Sequence, residues 1–440
     1  MKFILQLLVV VGMGTGIWFL SQTPRDDFQT SLGWFVALFA LVLIQFFLSK
    51  EQFSWKWVFW SGLILRLLVF LFPPQWSDDY ARFLWDGEIL KNSANPYVET
   101  PRQFLENPEN QKNQFLNQLF PKLNSPDYNS VYTPMNQAIF WIGAVDAQGK
   151  IGKGIFALRL VLLLSEIGVL MLLVKLLRSI QKPLFWSVFY WLNPLVILET
   201  MGNLHFEGVV LLFLLASINA ICQNKSALAG SFWGLAVGIK ILPLMLGPSW
   251  IYFSKTNRFG KFWMGTLVVL FLGFFWLLFE NSWVYLLQSL KLYQGKFEFN
   301  ASVYYLLREV GFWWKGYNTI ADLTKILSAL TFGLLVFFSW KKRPQTLPEL
   351  VDLWIVIYLI YLLFQPVVHP WYILPGLGLS ILAQKWTFIL WSFGAIFSYQ
   401  AYSNPDFHEQ PIFLILEYGL VLVGLYFDYI HSSRIKQTLA

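Results

Sequence analysis

The chain has 440 residues, 56% of them hydrophobic, 19% aromatic and only 13% charged. This composition excludes a soluble globular protein and describes a polytopic membrane protein whose 22 Trp and 19 Tyr suit the two bilayer interfaces. The formal net charge of +7 does not imply nucleic acid as a partner, because the bases gather in short clusters beside apolar segments.

A helix needs about 20 apolar residues to cross a hydrocarbon core of about 30 Å. In chain order such windows fall near 3–20, 31–49, 56–73, 154–175, 183–200, 203–222, 260–280, 319–340, 348–366, 370–385, 386–402 and 411–430. The first has one Lys, lacks a small-residue cleavage site, and reads as a retained helix rather than a signal peptide. Residues 134–147 are short for a crossing, while 226–254 are long and broken by Pro243 and Pro248. The expected fold is an all-α membrane domain over 1–440, a bundle of about 12–13 transmembrane helices, with no internal repeat. The single cysteine, Cys222, has no partner for a disulfide.

Lys50 and Lys56, the run from Lys175 to Lys182, Lys225, the group from Lys255 to Lys261, the run from Lys341 to Arg343 and the tail HSSRIKQ are expected on the cytoplasmic side, with both termini. That leaves residues 74–133, 281–318 and the stretch QPVVHPWY outside. Lys150 and Lys153 conflict with this topology unless 134–147 crosses.

The first outer loop carries the chemistry. It holds eight of the 25 acidic residues against five basic ones, and Asp78 and Asp79 stand next to each other just past the third apolar window. From Asp79 to Lys91 the spacing predicts a helix with Asp79, Arg82 and Asp86 on one face and Tyr80, Phe83 and Leu84 on another. It is expected to lie along the membrane surface with its charged face toward a cavity. QKNQFLNQLF (111–120) predicts a second such amphipathic helix. Adjacent carboxylates repel, so one of the pair should titrate high unless Arg82 compensates. At least one stays ionised near neutrality and accepts a proton.

Elsewhere GNLHFEG presents Asn203, His205 and Glu207, and HPWY presents His369, Trp371 and Tyr372 at a helix start. Arg66, Arg159, Glu166 and Lys240 fall inside apolar runs, where each costs roughly 2.5 to 3.5 kcal/mol near the bilayer centre and needs a partner. Lys240, before Pro243, is the leading cation for a phosphate, and Arg308 the reserve. The broken helices and buried charges also fit a polytopic lipid or sugar transporter or flippase, which would instead place its functional charges at midplane in two matching halves.

The run SDDYARFLWDG (77–87), then NPY (95–97) and YTP (132–134), resembles the first outer loop of the GT-C superfamily of integral-membrane glycosyltransferases. It is most similar to bacterial polyprenyl-phosphomannose-dependent mannosyltransferases and to the first mannosyltransferase of glycosylphosphatidylinositol assembly. ALRLVLLLSEIG (157–168), NPLVILETMGNLHFEG (193–208), GLAVGIKILPL (234–244), FNASVYYLLRE (299–309) and QPVVHPWYILP (365–375) extend the resemblance over most of the chain. It implies inverting transfer of one sugar, mannose or another hexose, from a polyprenyl-phosphate donor to a lipid or glycan hydroxyl at the outer face of a bacterial inner membrane. Asp78 or Asp79 would be the base, and Arg82, Asp86, Tyr132, Asn203, His205, Glu207, Lys240, Arg308, His369, Trp371 and Tyr372 substrate contacts. The resemblance implies no metal or other cofactor.

Overall fold

The computed structural model describes residues 2–253 and 259–439, the side chains of Gln294 and of 431–439 excepted. Lys255 and Arg258 of the expected cytoplasmic group lie outside the described residues, as do the side chains of the HSSRIKQ tail. Among the described residues the chain is helical without a strand; Phe299 and Val367 form an isolated bridge.

Almost every apolar window becomes a helix in the expected order, because a backbone in hydrocarbon must satisfy its own polar groups. Among the described residues seven helices are long and apolar enough to cross: Lys2–Leu20, Phe28–Glu51, Ile151–Ser179, Phe259–Tyr293, Ile320–Lys342, Leu347–Phe364 and Pro411–Ile430. An eighth span is counted if Leu184–Trp191 and Pro194–Gly202, bent by 50°, are taken together. The remaining windows form shorter apolar helices, among them Trp55–Val69, Glu207–Cys222, Ser226–Ile239 and Pro370–Ala383. The expected 12 to 13 crossings therefore resolve into full-length helices plus broken and short ones.

Local chemistry sets the breaks. Asp27 and Ser54 accept backbone N–H bonds at the starts of Phe28–Glu51 and Trp55–Val69, and Thr346 does so for Leu347–Phe364, with Pro348 in its first turn. Ser226–Ile239 stops at Lys240 and resumes as Leu242–Leu246 and Gly247–Phe253 around Pro243 and Pro248. Pro134–Ala147 rises about 21 Å, too little to cross. It packs between Asp79–Lys91 and Ile151–Ser179, so Lys150 and Lys153 stay at the end of the bundle that carries this loop. Lys2 pairs with Glu51 at one end, whereas Arg25, in the turn between the first two helices, pairs with Asp78 at the other.

The Asp79–Lys91 helix departs from expectation. Instead of lying on the surface, it is buried along its whole middle, from Ala81 to Ile89. The helix Gln114–Leu119 packs Phe115, Leu116 and Leu119 against it. On its other side a Cβ added at Gly87 would sit 2.2 Å from the carbonyl oxygen of Phe140, a separation that only glycine permits.

The charges within apolar runs are all partnered. Arg66 donates to Glu166 at 2.8 Å and to the Trp191 carbonyl at 2.6 Å, and lies 3.7 Å from the Trp191 ring. Arg159 donates to the carbonyls of Met201 and Phe72 at 2.6 and 2.7 Å. Arg159 and Glu166 share a helix but serve different neighbours.

Candidate active site

Asp78 and Asp79 part at the helix start. Asp78 is the N-cap residue, and its carboxylate turns outward to Arg25 at 2.8 Å with 42% of the side chain exposed. Asp79, in the first helical turn where the positive end of the helix favours a carboxylate, points inward. Its Oδ1 accepts from Asn124 Nδ2 at 3.1 Å, and its Oδ2 lies 3.7 Å from His205 Nε2. The side chain keeps 25% of its surface exposed. Burial opposes its ionisation but is outweighed chiefly by His205, with Asn124 adding to it, so that the carboxyl is held below its usual value.

His205 is delivered by an unusual turn. Asn193 caps a short helix begun by Pro194, which widens to a π-turn over Leu198–Gly202. The chain then reverses through Leu204, at φ 63°, a left-handed conformation costing a non-glycine residue of order 1–2 kcal/mol. The buried Glu199 is thereby brought beside its own downstream residues. Its Oε2 accepts from Asn203 Nδ2 at 3.0 Å and meets His205 Nδ1 at 2.8 Å, while Oε1 accepts from the Tyr399 hydroxyl. His205 is itself buried; burial disfavours its charged form, yet Asp79 and Glu199 raise its pKa overall.

The opposite wall comes from the segment before Pro370–Ala383. Val368 N–H bonds to Phe299 and Phe299 N–H to Pro366, both at 2.9 Å, holding this stretch extended so that His369 and Trp371 face inward. Trp371 stacks on His205 at 3.6 Å between centroids and on His369 at 4.3 Å, with interplanar angles of 20° and 6°. Two imidazoles cannot share one face at those distances, so Trp371 is sandwiched between them. Burial pushes His369 down to about 3, leaving a neutral ring. Its Nε2 meets the Tyr293 hydroxyl at 3.1 Å, and its Nδ1 has no partner. His205 Nε2 likewise lacks a hydrogen bond. Buried polar atoms are ordinarily bonded, so orphaned nitrogens beside a carboxylate mark a place where something else binds.

Lys240 and Glu207 are ion-paired, and the Lys240 ammonium lies 5.6 Å from the centre of the Tyr372 ring, itself edge-on to His369. Glu207 Oε2 is a third orphan. Tyr132 packs edge-on against Phe83 and Phe140, and its pKa is raised first by burial and then by the nearby Asp79.

Three expected contacts stand elsewhere. Arg82 does not compensate the Asp pair: it bonds Asp86 at 2.7 Å and the Tyr128 carbonyl at 2.8 Å. Asp86 spends its second oxygen on Ser130 and Gln137. Both side chains are consumed in holding the 125–137 stretch, next to Asn124, against the helix. Arg308 pairs with Glu298 at 2.8 Å and stacks on Tyr305. The sequence reading omitted Asn124, Glu199 and Tyr293; the only available signal was Glu199, an acid inside an apolar run. No group of three or more His, Cys, Asp or Glu that could hold a metal ion occurs among the described residues.

Residues 28–256 match the family model described as alpha-(1->6)-mannopyranosyltransferase, N-terminal domain, a region holding Asp79, Asn124, Glu199, His205 and Lys240. A stretch of 135 residues is 30% identical to GPI mannosyltransferase 1 of Aspergillus oryzae (strain ATCC 42149 / RIB 40), covering 29% of this chain and 31% of that protein. The chain thus matches about a third of that relative's length. Because the family model takes in more than half of its 440 residues, this integral membrane chain belongs to the alpha-(1->6)-mannopyranosyltransferase family.

Proposed function

We propose that the protein is an inverting glycosyltransferase that moves one sugar, mannose by its family, from a polyprenyl-phosphate donor to a hydroxyl of a lipid or glycan acceptor. Asp79 is the base. It takes the proton of the acceptor hydroxyl as that oxygen attacks the anomeric carbon from the face opposite the phosphate. The bond from the anomeric carbon to the phosphate oxygen breaks, and polyprenyl phosphate leaves with the electron pair. A phosphate departs as a stable anion, so one carboxylate suffices where glycoside hydrolases need two. His369 Nδ1 supplies a neutral donor to the phosphate when Tyr293 donates into Nε2, and Lys240 adds the ammonium protons that Glu207 leaves unused. Asn203, Tyr132 and Tyr372 line the sugar's path.

The observation that supports this reading is a partly exposed, ionised Asp79 held beside His205, with the Nδ1 of the neighbouring His369 satisfied by nothing in the protein. The site lies at the end of the bundle opposite Lys2 and Lys50, which the positive-inside rule makes the outer face of a bacterial inner membrane with a cytoplasmic N-terminus. Arg66, Arg159 and Glu166, the midplane charges a transporter would use, are instead bonded to one another or to carbonyls.

The test is incubation of the purified protein in detergent with a panel of polyprenyl-phosphate sugars and membrane lipid extract, followed by mass spectrometry and anomeric analysis of the product. Consumption of the mannosyl donor with inversion is expected. No consumption of any donor overturns the reading.

A further inference from the structure

Glu199 lies outside the chemistry of the transfer, yet it is the most completely enclosed carboxylate near the site, with no exposed surface. An ionised acid so buried is costly unless donors or a positive charge answer it. Asn203 and Tyr399 answer with neutral donors, and the one group able to answer with charge is His205. The imidazole edge that Glu199 does not use is directed at Asp79.

We propose that Glu199 and His205 form a positioning dyad for Asp79: Glu199 anchors the ring at Nδ1, so that Nε2 is presented to the carboxylate as a fixed cation. This inference rests on Asp79 being the base, and deepens that reading by assigning Glu199 a part in the reaction. Glu199 touches neither Asp79 nor any reacting atom; it acts through His205. Trp371, stacked at 3.6 Å, blocks the ring from turning over, and the left-handed Leu204 sets the backbone from which it projects. The ion contact at 3.7 Å is longer than a hydrogen bond, which suits an arrangement that must keep Asp79 ionised without occupying the lone pair that takes the acceptor's proton.

Other groups around the pair do not offer this charge. Asp79 is faced by the neutral His369, by Asn124, and by the phenols of Tyr132, Tyr293 and Tyr402. Its neighbour Asp78 is committed to Arg25. His205 is faced by Glu199, Asp79 and His369. Lys240 lies near enough to His369 to act on it but is neutralised by Glu207.

The experiment is the pH–rate profile of transfer between pH 4 and 9 for the wild type, His205→Gln and the isosteric Glu199→Gln, with unfolding temperature in detergent recorded alongside. Removing an opposite charge at this range raises a carboxylate's pKa by about 1–3 units, so the acid limb should move upward by that amount in His205→Gln. Glu199→Gln should move it in the same direction by less, since the ring stays but loses its anchor's charge. In both variants kcat recovers toward the wild-type plateau at high pH while KM changes little, a pattern that a merely loosened fold does not give. An acid limb unmoved in both overturns the dyad. Asp79→Asn, run in parallel, separates the two readings: full transfer by it removes the base itself, whereas an inert Asp79→Asn with unmoved limbs removes only the dyad.

Discussion

Two of the groups of buried charge in this molecule are finished differently. Within the apolar bundle, Arg66 meets Glu166, two carbonyls and the face of Trp191, Tyr190 donates to Glu166 at 2.9 Å, and neither charged side chain is more than 1% exposed. At the bundle's edge, Glu199, His205 and Asp79 use similar parts, a carboxylate, a cation and a tyrosine, but the chain of contacts runs outward to a partly exposed oxygen and leaves imidazole nitrogens unsatisfied. The first group is sealed from solvent and ties three helical segments together, with one guanidinium nitrogen, Arg66 Nε, left without a partner. The second ends at a carboxylate that solvent and a ligand can reach. Access therefore distinguishes the two groups: one is sealed, and the other opens through the partly exposed carboxylate of Asp79.

The largest test of that contrast is Asp79→Asn. It should lower the transfer rate by 10² to 10⁴, the usual worth of a general base, while donor affinity measured by binding stays within a few-fold. Full turnover would erase the distinction between the two groups. Glu166→Gln or Arg66→Met should instead cost about 3–5 kcal/mol of stability, read as a large drop in unfolding temperature, because the surviving partner is left charged in an apolar interior. Any folded fraction should transfer at a normal rate; slowed chemistry in a stable Glu166→Gln would place that pair in the site after all.

Lys240→Ala should weaken donor binding several-fold and leave Glu207 unpaired, measured by titration with the polyprenyl-phosphate sugar; unchanged affinity would remove Lys240 from the phosphate's surroundings. The smallest effect belongs to Asp78→Asn. Its bond to Arg25 is exposed at 35% and 42% of the two side chains, so it is worth at most about 1 kcal/mol after solvent screening, and transfer should stay within a few-fold of wild type.

Acid sharpens the comparison further. Asp79 is held below its ordinary value, so the folded state binds fewer protons there than the unfolded chain. Its contribution to stability is present above the unfolded carboxyl pKa of about 3.9 and is lost as pH falls through the lower folded value. Wild-type transfer should accordingly stay level down to about pH 4, and a rate already falling at pH 6 would show that Asp79 is not the titrating base.

Much of this was legible in the sequence, for a physical reason. Apolar length is read residue by residue, so the windows and even the break at Pro243 and Pro248 appear in order in the structure. Lys240 stands out because a cation inside an apolar run is costly enough to need a partner, and the structure gives it Glu207. Helical spacing correctly placed Arg82 and Asp86 on the face of Asp79, but spacing says nothing of what that face meets, and the loop that returns over it took both charges. Asn124 is 45 residues from the carboxylate it touches, so nothing local announces it. Glu199 was hidden in an apolar run whose continuation as a helix would have carried it away from His205; the π-turn and the left-handed Leu204 bring it back.

The close approach at Gly87 has one more consequence. With its backbone seated on Phe140, the helix that bears Asp79 leaves no room for a side chain between itself and Pro134–Ala147, and the two pack as one unit. The facing wall, from Pro366 to Trp371, is fastened by its own two backbone hydrogen bonds to Phe299, so the site is braced by backbone on both sides of Asp79.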